Sequence, residues 1–291
     1  MDTRTIFRDQ GGVATRSDLI RSGLSARQLD RFVAAGRLIR LRNGWLSVPE
    51  ADLHIAAAVT IGGVLTCVSE ARRTGIFARD DGRLHIAVPS NAGRLRSVAG
   101  VTPKIHWGNQ LIRRPNGATH DLLDNTLAHI VDCQPTDWAI ASIDSAMRVD
   151  RTMNADRLSS IASSAKSDRL KAILPMLDAR SESGLESLLR VRLSEAGVRM
   201  QPQVRIEGYR VDGLIGERLV IEADGYEFHS TRTDFERDRV RAARLQSLGY
   251  LILSFTYDQI VNEWPSVLAT ILAQIARGQH LWQSTRYSAM S

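Results

Sequence analysis

The sequence predicts an α/β multidomain protein: an N-terminal winged helix-turn-helix, a mixed α+β middle region and a C-terminal α/β core with a mixed sheet. Three observations carry that expectation. Two short helical runs precede a basic hairpin with Asn43-Gly44 at its tip. The composition turns small and polar between Met153 and Arg180. Beyond Ser183, apolar strand runs alternate with helical periodicity, as in a layered α/β unit. Residues 1–49, 50–180 and 181–291 are therefore expected as three domains.

The bulk figures suit a globular chain. Its 291 residues are 43% hydrophobic and 24% charged, which excludes a disordered or collagen-like polymer. The longest apolar run, Ile55 to Val68, is shorter than the roughly 20 residues a spanning helix needs. No apolar stretch follows Met1-Asp2-Thr3-Arg4, so a cytoplasmic protein without a membrane partner is expected. Cys67 and Cys133 stand far apart with no Cys-x-x-Cys. That excludes a disulfide framework and a zinc ribbon, and both thiols read as small buried hydrophobes. The net charge is +6, and only Lys104, Lys166 and Lys171 are lysines. An arginine-dominated excess suits phosphate and guanine recognition, although it is also a habit of some genomes.

The first fifty residues justify the winged helix. Thr15 with Asp18 reads as a capping box opening a helix through Arg21, and Ser25 with Gln28 opens a second through about Ala35. Leu29, Phe32 and Val33 form the inner face of that helix, and Gly36 stops it. Asn43-Gly44 between two strand-like runs signals a type I′ hairpin. Arg27 and Arg31 lie one turn apart on the outer face of the second helix, placed for a major groove. Arg37, Arg40 and Arg42 on the wing would meet phosphate. Residues 1–49 hold nine Arg and four Asp, so most of the excess charge is here. A helical domain that binds protein is the plainer alternative. The segment resembles the N-terminal winged-helix domain of the AbiEi antitoxin family in Gly11-Gly12-Val13-Ala14-Thr15-Arg16 and in Ala34-Ala35-Gly36-Arg37-Leu38-Ile39-Arg40-Leu41-Arg42-Asn43-Gly44. That resemblance implies sequence-specific DNA binding, often at a promoter.

The middle region reads as a helix from Leu53 to Cys67, short strands at Leu84–Val88 and Lys104–Trp107, and helices near 120–133 and 136–149. It holds no metal-ligand spacing and no glycine-rich phosphate loop. His54, His85, His106, His120 and His129 are scattered and read as structural. The order resembles the region joining an AbiEi-type winged helix to a C-terminal nuclease domain in actinobacterial proteins. A linking or partner-binding role is expected.

The last hundred residues read as a helix to about Ala196, strands at Gln203–Ile206, Tyr209–Ile215 and Arg218–Ala223, a helix over Thr233–Leu248, a strand at Tyr250–Phe255 and a helix from Tyr257 to about Ala276. Asp212 follows Val211 near the end of one strand, and Glu222 and Asp224 share a face of the next. Glu186 lies on the first helix. Hard oxygen ligands gathered at strand ends suit Mg²⁺ or Mn²⁺ and phosphodiester hydrolysis, with His229 placed to move a proton. Plainer roles exist for each: Glu186 completes a capping box with Ser183, Asp212-Gly213 suits a turn, and Glu222 and Asp224 suit a solvated strand end. Arg237, Arg241 and Arg244 recur on one helix face and could track a DNA backbone, or pair with Asp234, Glu236 and Asp238.

Residues 183–276 resemble the very-short-patch-repair-endonuclease-like branch of the PD-(D/E)XK superfamily. The matching pieces are Ser183-Gly184-Leu185-Glu186, Val211-Asp212, Ile221-Glu222-Ala223-Asp224-Gly225-Tyr226-Glu227-Phe228-His229, Phe235-Glu236-Arg237-Asp238-Arg239 and Leu248-Gly249-Tyr250-Leu251-Ile252-Leu253-Ser254-Phe255. The resemblance implies a restriction-endonuclease-like core in which Asp212 and Glu222 bind metal and Glu186 assists. The superfamily's lysine falls at position 224, which is aspartate here. Asp224 would then be a third ligand, with His229 as acid or base. A metal-dependent DNA endonuclease of repair or phage defence is expected. The rivals are an antitoxin-like regulator with a non-catalytic nuclease fold and a phage-defence adaptor. DNA is the expected partner; a homodimer and a toxin partner stay open.

Overall fold

A computed structural model describes residues 3–108, 110–225 and 232–282. The chain divides into two compact units, Met1–Ser142 with Thr152–Leu174, and Ile143–Arg151 with Pro175–Ser291. Among the described residues no helix is long and apolar enough to cross a membrane.

The first unit begins with α1 (Thr3–Asp9), β1 (Val13–Thr15), α2 (Arg16–Arg21), α3 (Ala26–Ala34), β2 (Ile39–Arg42) and β3 (Trp45–Ser47). Both expected caps form. The Thr15 side chain accepts from the Asp18 amide, and Ser25 and Gln28 make a reciprocal capping box. Leu19, Leu29, Leu38 and Leu46 bury together with Ile6 and Ala14, and Phe32 and Val33 pack against them. The wing is a three-stranded antiparallel sheet in the order β1-β3-β2. Its turn departs from the type I′ expectation: only Gly44 of the two central residues has positive φ, at 77°. The β2–β3 register shifts between Arg40 and Arg42 instead, a bulge that lets the chain turn with one left-handed residue.

Next come α4 (Leu53–Ile61), β4 (Val64–Leu65), α5 (Cys67–Arg73), β5 (Leu84–Val88) and β6 (Pro103–Trp107). The single helix expected over Leu53–Cys67 is thus corrected to helix, strand and a new helix. Gly62 stops α4 with φ 127°, and a Cβ at Gly63 would lie 2.5 Å from the Ala87 carbonyl oxygen. Gly62 supplies the positive-φ turn, and Gly63 lets the backbone pass β5 where a side chain would clash. The sheet order is β4-β5-β6, with β5 and β6 parallel. The unit continues through α6 (Leu123–Cys133), α7 (Thr136–Val149), α8 (Ala155–Ser164) and α9 (Asp168–Ile173), with Ile143–Arg151 counted in the second unit.

The second unit contains α10 (Gly184–Glu195), β7 (Met200–Ile206), β8 (Tyr209–Ile215), β9 (Leu219–Asp224), α11 (Arg232–Ser247), β10 (Leu251–Thr256), α12 (Tyr257–Asn262) and α13 (Trp264–Ala276). The sheet order is β10-β9-β8-β7, parallel between β10 and β9 and antiparallel elsewhere. This is the expected mixed α/β core. β7 starts earlier than expected, at Met200, and includes Pro202; an edge strand tolerates a residue with no amide hydrogen. The long last helix is broken at Glu263, and Pro265 sits in the first turn of α13, the position where a missing N–H costs least. Leu219, Val220 and Ile221 are fully buried, as their apolar run implied.

Candidate active site

The acidic residues of the second unit converge where β8 and β9 leave their ladder. The antiparallel register pairs Leu214 with Val220 and Gly213 with Ile221. Carried one step further, it sets Asp212 opposite Glu222. The two carboxyl groups lie close enough to act on each other's ionisation. An Asp212 carboxylate oxygen also accepts from the Ala223 amide at 2.9 Å. Glu222 is only 6% exposed. Burial, then the nearby Asp212 charge, pushes its carboxyl up to about 8. Burial also raises Asp212, against the Ala223 amide that favours its ionised form. Two carboxyl groups held together out of water resist double ionisation unless a cation joins them.

Glu186 reaches the same region from α10. The Ser183 hydroxyl accepts from the Glu186 amide at 3.1 Å. The Glu186 carboxylate passes beyond that cap and accepts from the Glu182 amide at 2.9 Å and the Gln203 side-chain amide at 2.5 Å. Burial and then the Asp212 charge raise its pKa. Gln203 was not singled out from the sequence. It stands on β7 at the register position opposite Asp212, between the Pro202–Gly213 and Val204–Val211 pairs, and its φ is 56°. Non-glycine residues seldom adopt that backbone, and such strained positions cluster at functional sites. Its side-chain oxygen is buried without a hydrogen-bond partner.

Arg241 supplies the site's cation. Its guanidinium lies 3.3 Å from a Glu222 oxygen and donates to the Arg210 carbonyl at 3.0 Å. It was expected to face a DNA backbone; instead α11 turns it toward the carboxylates. Arg244 pairs with Glu207 at 3.3 Å, and Arg237 is exposed. Arg210 pairs with Glu182 at 2.5 Å. Asp224 is half-buried at the end of β9, in register with Thr256 of β10. His229 and the side chains of Asp234, Glu236 and Asp238 lie outside the described residues. The structure therefore brings Asp212 and Glu222 into contact, sets Glu186 within electrostatic reach and leaves Asp224 at the rim. Buried carboxylates beside an orphaned amide oxygen are a donor set that fits a hard divalent cation.

In the first unit, Arg27 and Arg31 are exposed on α3, and Arg37 and Arg40 are exposed near the wing. Arg42 differs. It lies over the Trp45 ring at 5.5 Å with its Nε buried and unpartnered. Burial, and then Arg96, lower its pKa. It braces the wing as much as it faces outward. Arg16 grips Asp30 at 2.9 and 3.2 Å, tying the start of α2 to α3.

Comparison with known proteins gives separate matches near the two ends of the chain. Residues 1–44 match a family model described as a transcriptional regulator, AbiEi antitoxin. Residues 186–275 match the restriction-endonuclease model REase_MTES_1575. The uncharacterized proteins MT2308 and Rv2248 of Mycobacterium tuberculosis strains CDC 1551 / Oshkosh and ATCC 25618 / H37Rv are each 28% identical over 269 residues, covering 87% of this chain and 97% of theirs. The catalytic domain of homing endonuclease I-Bth0305I is 25% identical over 31% of this chain and 93% of its own, at a TM-score of 0.27. The chain thus joins an AbiEi-type helix-turn-helix segment to a restriction-endonuclease-like domain in one polypeptide.

Proposed function

We propose that the protein is a divalent-metal-dependent DNA endonuclease whose winged helix engages duplex DNA. One observation carries the reading: the Asp212 and Glu222 carboxyl groups stand side by side just beyond the last β8–β9 pair, with Glu186 and Arg241 around them. Asp212 and Glu222, with Asp224 at the strand end, would hold Mg²⁺ or Mn²⁺. When bound, such an ion activates water and stabilises charge on the phosphoryl oxygens.

The chain's own residues account for the rest. Glu222 gives up its proton to become a ligand, and Arg241 offsets the charge that remains. The Ala223 amide holds Asp212 in place, and Gln203 holds Glu186 as a base or outer ligand. Arg241 takes the role of the lysine missing at position 224, and His229 is assigned proton transfer to the leaving oxygen. In this reading the enzyme works in the cytoplasm. The test is cleavage of supercoiled and linear DNA with Mg²⁺, Mn²⁺ or EDTA, wild type against Asp212→Ala and Glu222→Ala, with folding checked by circular dichroism. Metal-dependent cutting lost in both folded variants supports the proposal.

A second reading is favoured by the match of residues 1–44 to a transcriptional regulator model. Here the protein binds an operator and the nuclease fold is a docking module. A footprint that needs Arg27 and Arg31, with no cleavage by wild type on duplex, single-stranded or mismatched DNA, would favour it.

A further inference from the structure

Four side chains far apart in sequence meet in the first unit. Ligand atoms of Cys67, His85, His106 and Cys133 all lie within 4.8 Å of one another. The sequence held no recognisable spacing for them, and each read as structural on its own. The fold gathers them from four elements. Cys67 opens α5 and Cys133 ends α6. His85 lies on β5 and His106 on β6. The parallel register pairs His85 with Lys104 and Ala87 with His106, so the two imidazoles share a face two positions apart. The Thr66 amide donates to the His85 carbonyl at 3.0 Å, fastening the start of α5 beside β5.

We propose that Cys67, His85, His106 and Cys133 form a closed structural Zn²⁺ site. Three observations support it independently. The first is distance. Bonds of about 2.3 Å to sulfur and about 2.0 Å to nitrogen in a tetrahedron put N–N edges near 3.3 Å and S–N edges near 3.5 Å. His85 Nδ1 lies 3.1 Å from His106 Nε2 and 3.8 Å from Cys133 Sγ. The second is the outer partner. His85 Nε2 lies 3.2 and 3.1 Å from the two Asp81 oxygens. A proton donated there leaves Nδ1 a bare lone pair aimed at His106, the carboxylate–histidine arrangement that orients metal ligands. The third is backbone strain. Cys67 has φ 52°, a conformation non-glycine residues avoid, at the residue whose thiol joins the cluster.

Two thiolates and two imidazoles select a borderline-soft ion over Mg²⁺, and four protein ligands leave no position for substrate. Binding releases two thiol protons to solvent, and the thiolates balance the ion's charge. Cys67 and His85 are fully buried, so the site would fasten α5 and α6 to the β5–β6 pair.

The experiment is metal analysis of the full-length protein purified without added metal. One zinc per chain is expected in wild type, and none in Cys67→Ser/Cys133→Ser. Asp212→Ala should keep its zinc, which separates this site from the acidic one whatever that one does. Wild type stripped under reducing conditions and titrated with Co²⁺ should develop the visible bands of a tetrahedral thiolate site. Asp81→Asn, which keeps all four ligands, should bind Zn²⁺ about 10- to 100-fold more weakly in chelator competition. His106→Ala repeats the metal analysis if the double serine variant fails to fold. Wild type that neither carries zinc nor takes up Zn²⁺ or Co²⁺ stoichiometrically would overturn the proposal. So would a Cys67–Cys133 disulfide in the purified protein, or zinc lost in Asp212→Ala.

Discussion

Asp212 and Glu222 lie side by side across the β8–β9 pair, at the first register step beyond the Gly213–Ile221 pairing, where burial and then the Asp212 charge raise Glu222. Two acids in contact, one of them 6% exposed, destabilise the fold in which they stand. Glu222→Gln should therefore stabilise the metal-free protein by about 1 kcal/mol while lowering cleavage by about 10²- to 10⁴-fold. Thermal melts in EDTA and a plasmid-nicking assay on the same preparation check both halves. A variant that is inactive and also less stable would mean the pair is structural.

Arg241 should matter through its charge and its fork geometry together. Arg241→Ala leaves Glu222 without its cation at 3.3 Å and the Arg210 carbonyl without its donor. Cleavage is expected to fall by about 10²-fold, and Arg241→Lys to recover only part, because one ammonium cannot span both acceptors. Single-turnover rates at saturating DNA separate this from weakened binding, since Arg241→Ala should leave the Kd for DNA nearly unchanged.

The wing and α3 should answer differently to mutation. Arg27→Ala and Arg31→Ala change exposed side chains and should lower duplex affinity without a change in melting. Each phosphate contact removed should reduce the salt slope by roughly one. Arg42→Ala removes the guanidinium over Trp45 and should cost stability of about 1 kcal/mol. Salt-dependent anisotropy titrations and melts distinguish the two behaviours.

His120 gives the first unit a signed pH dependence. Burial, then Arg73, hold its pKa below the usual value of 6.5, against the pull of Asp121. The folded protein therefore keeps His120 neutral where the unfolded chain takes up a proton. That stability is fully present above 6.5 and is lost as pH falls toward the lower folded value. Urea midpoints for wild type should drop between about pH 7.5 and about pH 5.5 by more than those of His120→Gln. Equal drops would remove His120 as a cause.

Local signals proved readable where the physics is local. Thr15 and Ser25 cap α2 and α3 as their neighbours Asp18 and Gln28 implied. The apolar run before Glu222 marked a buried strand because alternation and burial both leave a trace in sequence. The end of α4 at Gly62 was missed because apolar periodicity alone does not register a close backbone approach. Gly63, pressed toward the Ala87 carbonyl, needs β5 in place to be understood. Arg241 was noticed as part of a basic stripe, yet its partner Glu222 depends on how α11 packs on the sheet. Gln203 left no trace, since its left-handed backbone and cross-strand position arise only when β7 pairs with β8. The Cys67–His85–His106–Cys133 cluster was invisible for a related reason: parallel β5–β6 pairing and two helix ends assemble it from irregular spacing.

The most direct measurement is cleavage of supercoiled plasmid by purified wild type and Asp212→Ala, each with Mg²⁺, Mn²⁺ or EDTA. A metal-dependent active site at Asp212 requires nicked or linear product from wild type with a divalent ion, none in EDTA, and none from the folded variant under any condition. Cutting that survives Asp212→Ala, or a folded wild type that cuts no duplex, single-stranded or mismatched DNA with either ion, would contradict it.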